Sequence, residues 1–343
     1  MRVKAVQIAE ELGISRATVS LALNNKPGVS ERTRQEILQC RERLLREGEE
    51  KKKEISFIQK GLIKVIVASK GLKIGFDSGM DLWTDVLAVF QREAQKRGYQ
   101  IGVTYLDIRY DSLEQLIYEC SGKEIFGVIL QATELNAEDI ERFQKIPKPM
   151  VIYDNESRNL TRHCVVADNR LGVEHAVKYL FERNYTDIVY LGTDMELYNF
   201  QQRRSGFSGT LLEYNRNPYE TGRMLMLSTT IEGVYHDMKE YLENHKLPEA
   251  FLSENYQVTI GLMRALKEKR IQVPEDVAVI GVDTLPSYMT GDCQVTAVRI
   301  PHTERAVLTV MLLEKEIEEQ SKTKSRIMTD CSLVEGESVK TRI

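Results

Sequence analysis

The chain has 343 residues with 47 Lys/Arg and 51 Asp/Glu, and its formal net charge is −4. This length exceeds one ordinary core and predicts two or three domains. No run of about 18 apolar residues occurs, so no membrane span is expected, and the mixed first residues are not typical of a secretion signal. The five cysteines form no CxxC pair, which favours a reducing, cytoplasmic setting.

Positive charge is concentrated in the first part of the chain. Residues 1–48 hold nine Lys/Arg against six Asp/Glu, an excess of three, so the remaining residues must carry −7 to give the total of −4. A basic segment joined to an acidic body is compatible with a nucleic-acid partner, and equally with a solvated helical surface.

Residues 1–48 predict three short helices. Lys4–Leu12 places its apolar residues on one stripe and ends at Gly13, which enters the left-handed region freely. Ser15 is a suitable N-cap for a second helix over Arg16–Asn24, and Ser30 for a third helix from Glu31. The apolar pattern then dissolves into the charged run REGEEKKK, which predicts a linker over residues 49–62.

The first two predicted helices have the spacing of a helix-turn-helix. Ala9 allows close packing, Gly13 makes the turn, and Val19 completes the small core. The polar face of the second helix would then enter a major groove of double-stranded DNA. We predict DNA contacts from Ser15, Arg16, Ala17, Thr18, Ser20, Leu21, Asn24, Lys26, Ser30 and Thr33.

After the predicted linker, short β-branched strands alternate with amphipathic helices. Runs such as IKVIVAS, FGVILQA, MVIYDN, DIVYLGT and VAVIGVD are separated by helical stretches. This alternation predicts parallel sheets flanked by helices, and its length predicts two α/β lobes. We see no sequence repeat between the two halves.

Several blocks of the chain resemble the lactose-repressor (LacI/GalR) family. The headpiece block is ATVSLALNNKPGVSERTRQEIL, and the core blocks, in order, include DLWTDVLAVFQREAQKRGY, VVADNRLGVEHAVKYLFERNYTDIVYLG, AFLSENYQVTIGLMRAL and VPEDVAVIGVD. The resemblance implies a homodimeric transcriptional regulator, usually a repressor, with a helix-turn-helix headpiece and a two-lobe core like periplasmic sugar-binding proteins. It implies an effector-binding core over residues 63–343, with lobe 1 at about 63–157 and 296–323 and lobe 2 at about 158–295 and 324–343.

Three features depart from the family pattern. Leu21 replaces the usual arginine of the recognition helix, so an apolar contact such as a thymine methyl replaces a guanine reader. The usual hinge segment is absent, and only Ile58 or Leu62 could serve as its minor-groove wedge. The family's Ala-Asn-Asp block reads Glu254-Asn255-Tyr256 here, which indicates an altered pocket.

The positions that match family ligand contacts predict a sugar-like effector. They are Trp83, Asp154, Arg203, Asn255 and Asp283. Carboxylates at the ends of predicted strands can accept from sugar hydroxyls, a guanidinium offers a fork of donors, and an indole can cover a pyranose face. The structural alternatives are that the aspartates cap turns and that Trp83 belongs to the core.

The sequence carries weak signals for catalysis. GFDSG at residues 75–79 is not GxSxG, no phosphate-binding glycine motif follows a strand, and the five histidines are not at metal-ligand spacing. We therefore expect no cofactor, no metal and no enzymatic activity. Two alternatives stay open: a sugar- or nucleotide-processing enzyme with a DNA-binding front domain, and a binding module whose headpiece recognises no specific operator.

Overall fold

The computed structural model describes residues 5–24, 26–55, 60–72, 82–156, 161–320 and 323–342. It contains two compact units, Met1–Lys60 and Gly61–Ile343. Within the described residues, no helix is both long enough and apolar enough to cross a membrane.

The first unit is helical. Its elements are α1 (Ala5–Leu12), α2 (Arg16–Leu23) and α3 (Glu31–Ile55). Ile8, Val19 and Ile37 are fully buried and join the three helices in one apolar core. Gly13 ends α1 with φ of +63°, where an L side chain would be strained. The three predicted helices are therefore confirmed.

Helix α3 is longer than predicted. It runs to Ile55 and so includes residues 49–55 of the predicted linker. The reason lies in the sequence: the segment has no proline, and its Glu, Lys and Arg residues are good helix formers. Leu62 lies in the first strand of the second unit, so it is not free to act as a wedge, while Ile58 lies outside the described residues.

The second unit alternates strands and helices. Its strands are β1 (Gly61–Ser69), β2 (Tyr99–Asp107), β3 (Ile125–Gln131), β4 (Met150–Tyr153), β5 (His163–Asp168), β6 (Ile188–Thr193), β7 (Met224–Leu227), β8 (Ala250–Ser253), β9 (Ala278–Val282), β10 (Thr296–Arg299), β11 (Arg326–Asp330) and β12 (Ser332–Val334). Its helices are α4 (Leu82–Lys96), α5 (Leu113–Cys120), α6 (Ala137–Phe143), α7 (Asn169–Glu182), α8 (Tyr198–Glu213), α9 (Ile231–Asn244), α10 (Tyr256–Glu268) and α11 (His302–Glu319).

These strands form two six-stranded sheets. The first has the order β11-β5-β4-β3-β1-β2 and is parallel throughout. The second has the order β12-β10-β9-β8-β6-β7, in which only β12 is antiparallel. Helices pack their apolar residues on both faces of each sheet, which fits central strands such as β4, β8 and β9 that are buried along their whole length. The predicted α/β fold with two parallel-sheet lobes is confirmed.

The expected lobe boundaries need correction at three strands. β5 and β11 belong to the first sheet and β10 to the second, whereas the boundaries at 157, 295 and 323 placed each in the other lobe. Hydrogen bonding explains the difference, because β5 pairs with β4 and β10 pairs with β9 before the chain leaves each sheet. The chain crosses between lobes after β5, after β10 and after β11.

Candidate functional site

Helix α2 exposes one polar face of the first unit. Arg16, Ala17 and Ser20 are exposed, whereas Val19 and Ala22 are buried in the helical core. Within the described residues, the Arg16 side chain makes no hydrogen bond or ion pair. Its guanidinium is therefore available to an outside acceptor.

Two serine caps of the same kind begin α2 and α3. Ser15 Oγ accepts from the backbone N–H of Thr18 at 3.1 Å, and Ser30 Oγ accepts from that of Thr33 at 3.2 Å. In each pair the two hydroxyls are also hydrogen bonded, at 2.8 and 2.7 Å. Four residues that were predicted to contact DNA therefore stabilise the starts of α2 and α3 without DNA. They are Ser15, Thr18, Ser30 and Thr33.

The loop after α2 is held by Arg34. Its guanidinium donates to the carbonyls of Ala22 and Lys26, at 2.8 and 2.9 Å. The backbone that carries the exposed Lys26 side chain is therefore held in place by Arg34. Leu21 is only half-exposed, and its side chain lies beside Gly28. Asn24 is exposed and donates to Ser20 O at 2.8 Å.

All five predicted effector residues line one cavity in the second unit. The cavity has a volume of about 80 Å³. The predicted residues are Trp83, Asp154, Arg203, Asn255 and Asp283; the other lining residues are Val86, Thr133, Tyr153, Asn169, Asn199, Phe200, Tyr256, Ile300, His302 and Arg305. The cavity therefore joins residues that are up to 222 positions apart.

Asp154 and Asp283 occupy equivalent places in the two lobes. Each follows the strand at the centre of its sheet, β4 or β9, and each has a positive φ, of 68° and 71°. Each backbone N–H continues the strand ladder by donating to the next strand, to Val165 O or Val298 O, at 2.9 Å. Aspartate tolerates this left-handed turn better than most residues do.

The Asp154 carboxylate is fully engaged by protein donors. Arg305 Nη1 donates to its Oδ1, while Thr133 Oγ1 and Asn199 Nδ2 donate to its Oδ2 at 2.6 and 3.0 Å. Asn199 begins α8 in the second lobe, so its bond joins the two lobes across the cavity. Asp154 lines the cavity as predicted, but its oxygens already have partners.

A histidine links this group to Asp283. Arg305 Nη2 donates to His302 Nδ1 at 2.9 Å, and His302 Nε2 lies 3.2 Å from Asp283 Oδ1. Because a guanidinium can only donate, Nδ1 carries no proton and Nε2–H is the donor to Asp283. Among the described residues, Asp283 Oδ2 accepts no further hydrogen bond, so it stays open to a ligand.

Both aspartates are held in the ionised form. Burial favours the neutral acid at Asp154, but the Arg305 guanidinium and the hydrogen bond from Thr133 outweigh it and hold the pKa of Asp154 below its ordinary value. Burial acts in the same way at Asp283, where the His302 hydrogen bond and nearby arginines lower the pKa. The cavity therefore keeps its two negative charges at neutral pH.

Arg203 and Asn255 retain donors for a ligand. Arg203 is 6 % exposed and donates to Asn169 Oδ1 and Glu254 O, both at 2.8 Å. Asn255 Oδ1 caps α10 by accepting from Val258 N at 3.0 Å. Within the described part of the chain, Arg203 Nη2 and Asn255 Nδ2 have no protein acceptor. Trp83 packs edge-on against Tyr153, with ring centroids 5.8 Å apart, and forms an aromatic wall.

Sequence reasoning missed the polar residues that support this cavity. Arg305 and His302 begin α11, and Asn199 begins α8, far in sequence from the aspartates that they bind. One signal was available for Arg305: it shares the buried helix stripe with Thr309 and Leu313. A charged residue on such a stripe indicates a buried partner.

The altered block at Glu254 also has a structural explanation. Glu254 is fully buried and accepts from Thr193 N at 2.9 Å, from Tyr190 Oη at 3.1 Å and from Arg204 Nε at 2.8 Å. It therefore fixes the end of β6 and does not line the cavity. The described residues contain no cluster of His, Cys, Asp and Glu that could hold a metal ion.

Two protein-family models match the chain. Residues 6–44 match the lacI family of bacterial regulatory proteins, and residues 177–339 match the periplasmic binding protein-like domain. The first match covers most of the three-helix unit, and the second covers most of the second lobe together with all of α11 and β11.

Curated relatives align over nearly the whole chain. The probable HTH-type transcriptional repressor ExuR of Bacillus subtilis (strain 168) is 23% identical over 338 residues, which is 97% of each chain. The ribose operon repressor of Escherichia coli (strain K12) is 22% identical over 334 residues, which is 96% of this chain and 97% of that one. The alignments therefore span both units.

Solved structures share the fold. A transcriptional regulator CelR in complex with cellobiose has a TM-score of 0.69 and 19% identity, and the match covers 98% of this chain and 100% of that one. A lac repressor dimer bound to operator and an anti-inducer has a TM-score of 0.68 and 18% identity, over 98% and 99%. The helical unit therefore matches the lacI family of bacterial regulatory proteins, the second unit matches the periplasmic binding protein-like domain, and the chain shares the fold of the lac repressor.

Proposed function

We propose that the chain is a sequence-specific transcriptional repressor that binds operator DNA as a homodimer and responds to a sugar-like effector in the cavity between its lobes. The observation that carries the proposal is the convergence of Arg203, Asn255 and Asp283 on one cavity with open polar groups. The helical unit supplies the DNA-binding part.

DNA recognition is assigned to the exposed face of α2. Arg16 opens the helix, where N-terminal side chains of a recognition helix reach base edges. Lys26 lies on the loop that Arg34 fixes, so its exposed ammonium suits a phosphate. The two residues should therefore contribute differently, Arg16 to specificity and Lys26 to affinity for any sequence.

The test measures fluorescence anisotropy on a selected operator and on a scrambled duplex. Arg16→Ala should lose about 1–3 kcal/mol on the operator and less on the scrambled duplex. Lys26→Ala should weaken both equally and reduce the salt slope by about one unit. Arg264→Ala, which removes a half-exposed arginine of the second unit, is the charge-matched control. An unchanged operator preference in Arg16→Ala would refute the assignment.

The effector is assigned by the chemistry of the cavity. Arg203 and Asn255 offer donors, Asp283 offers an acceptor, and Trp83 with Tyr153 offers an aromatic wall for the apolar face of a ring. Relatives named for ribose and cellobiose support a sugar class. The effector can change operator affinity only by as much as it prefers one arrangement of the lobes, which we expect to be about 1–3 kcal/mol.

The repressor is proposed to bind its effector without chemical conversion. His302 has both ring nitrogens bonded, and Asp154 has both oxygens bonded, so neither is available to transfer a proton to a ligand. Incubation of the full chain with candidate sugars, followed by chromatography of the mixture, should return the sugars unchanged. Product formation that Asp283→Ala abolishes would favour the enzyme alternative.

A further inference from the structure

We propose that Arg305 determines effector specificity by occupying Asp154, and that the effector is an acidic sugar whose carboxylate binds Arg203. The inference rests on the proposed function, since it assigns the chemical class of the ligand in the same cavity. Three features of the cavity support it: Asp154 has no open acceptor, Arg203 has no bonded anion, and Arg305 balances the charge of Asp154.

The first step is that Asp154 cannot accept from a ligand in this arrangement. Arg305 holds one of its oxygens, and Thr133 and Asn199 share the other. Arg305 is itself 1 % exposed, is fixed by His302, and lies 4.9 Å from the centre of the Tyr153 ring. The first lobe therefore presents a satisfied ion pair and an aromatic wall to the ligand.

The second step is that Arg203 lacks a bonded counter-ion. Among the described residues, the two arginines with less than 9 % exposure are Arg203 and Arg305. Arg305 binds a carboxylate, and the half-buried Arg204 binds Glu254 at 2.8 Å. Arg203 donates only to an amide oxygen and a carbonyl oxygen. A buried guanidinium without a bonded anion is costly, and a ligand carboxylate would supply one.

The third step is the balance of open groups on the second lobe. Arg203 Nη2 and Asn255 Nδ2 are two donors, and Asp283 Oδ2 is one acceptor. A carboxylate has only acceptors, so it can satisfy both donors at once, while one neighbouring hydroxyl donates to Asp283. A neutral sugar would have to place acceptor oxygens on both donors, and it would offer Arg203 no charge-assisted hydrogen bond.

Arg305 makes this carboxylate tolerable in the cavity. Asp154 is balanced by Arg305, so Asp283 is the aspartate that remains to repel an anion. Without Arg305, two ionised aspartates would face the carboxylate, and the freed oxygens of Asp154 would accept hydroxyls. Arg305 should therefore shift the preference of the cavity from neutral sugars toward sugar acids.

The experiment compares matched pairs of probes by titration calorimetry on the full chain. The pairs are D-glucose with D-glucuronate and D-galactose with D-galacturonate. The wild type should bind the acid of at least one pair about tenfold or more tightly than the neutral sugar, since charge-assisted bonds are the stronger class. Arg305→Met should reduce this preference about tenfold or more, because Asp154 then repels the acid.

Two further variants keep the test decisive if Arg305→Met does not fold. The double variant Asp154→Asn with Arg305→Met removes both charges of the ion pair, so the net charge of the cavity is unchanged. Its preference for the acid over the neutral sugar should therefore lie within about threefold of that of the wild type. Asp154→Asn alone leaves Arg305 unbalanced and should prefer the acid more strongly than the double variant does. Asparagine also tolerates the positive φ at this position.

The outcomes separate the inference from the proposed function. Equal or tighter binding of the neutral sugar by the wild type overturns the inference and leaves a sugar-responsive repressor standing. If Asp154→Asn and the double variant prefer the acid over the neutral sugar equally, the proposed role of Arg305 in effector specificity is overturned. If no probe binds while operator binding is normal, the acidic-sugar class is overturned, and the proposed DNA-binding function stands on the operator measurement.

Discussion

The turns that carry Asp154 and Asp283 have the same backbone but different surroundings. Each follows the central strand of its sheet, with φ near +70° and one hydrogen bond to the neighbouring strand. Among the described residues, three side chains donate to the Asp154 carboxylate, whereas His302 alone donates to that of Asp283. Equivalent positions in two similar lobes therefore need not share a role, because distant side chains decide which oxygens remain open to a ligand.

A second pair of carboxylates shows the opposite case. Glu134 follows β3 and accepts from Ser69 Oγ and the N–H of Lys70, at 2.8 and 2.7 Å, at the end of β1. Glu254 follows β8 and accepts from Thr193 at the end of β6. Both carboxylates fix the end of an adjacent strand, so here the equivalent positions keep one structural role.

The largest expected effect comes from breaking the ion pair on the first lobe. Arg305→Met should lower the free energy of unfolding by about 3–5 kcal/mol, because it leaves the ionised Asp154 buried without its cation. Urea unfolding followed by circular dichroism measures this change. The control, Arg264→Ala, removes a half-exposed pair with Glu232 and should cost under about 1 kcal/mol. Equal losses of unfolding free energy in Arg305→Met and Arg264→Ala would contradict the conclusion that Arg305 and Asp154 form a buried ion pair.

The next effect compares the two strand-fixing glutamates. Glu254→Gln should cost about 2–3 kcal/mol, since it removes a charge that a half-buried Arg204 needs in a fully buried site. Glu134→Gln replaces an acceptor of backbone N–H groups and should cost about 1 kcal/mol. The same urea measurement applies to both. A larger loss in Glu134→Gln would reverse this comparison.

Asp283 should influence the ligand more than the fold. Asp283→Ala removes the open acceptor of the cavity and should weaken binding of the tightest probe sugar by about 1–3 kcal/mol. Operator affinity without ligand should be unchanged, because Asp283 lies in the second unit. Calorimetry for the sugar and anisotropy for the operator check the two statements. Sugar affinity within twofold of the wild type would mean that Asp283 is only a structural turn residue.

The smallest effect is the acid sensitivity of the two aspartates. Both have folded-state pKa values below those of the unfolded chain, so their stabilisation is present above about pH 4 and is lost as the pH falls through the folded values. Asp154→Asn and Asp283→Asn should each flatten the decline of the free energy of unfolding below pH 5. Urea midpoints at several pH values test this. An unchanged slope in both variants would show that other carboxylates govern acid unfolding.

Much of the fold could be predicted because the responsible signals are local. Alternating strands and helices gave the two α/β lobes, and Gly13, Ser15 and Ser30 marked the limits of the first helices. The sheet membership of β5 and β10 could not be predicted, because an apolar strand does not specify which neighbour will bond to it. The end of α3 was placed too early, because a charged run was interpreted as a linker despite its helix-forming residues.

The residues that line the candidate site could be predicted from the sequence, but the hydrogen bonds between them could not. All five predicted effector residues reach the cavity, since each follows a strand or lies near the start of a helix at the same edge of a sheet. The engagement of Asp154 depends on Arg305, 151 positions away. No local pattern relates two such residues, so only the folded structure shows which aspartate remains open.

The placement of β11 and β12 has a consequence for synthesis of the protein on the ribosome. These neighbouring strands, at Arg326–Asp330 and Ser332–Val334, complete the edges of two different sheets. A growing chain that has reached residue 320 thus carries two sheets that each lack an edge strand, and both sheets are completed only when residues 326–334 have been added. A stop codon that removed residues after 325 would leave strand edges open on both lobes at once, and aggregation through those edges is the expected fate of the truncated product.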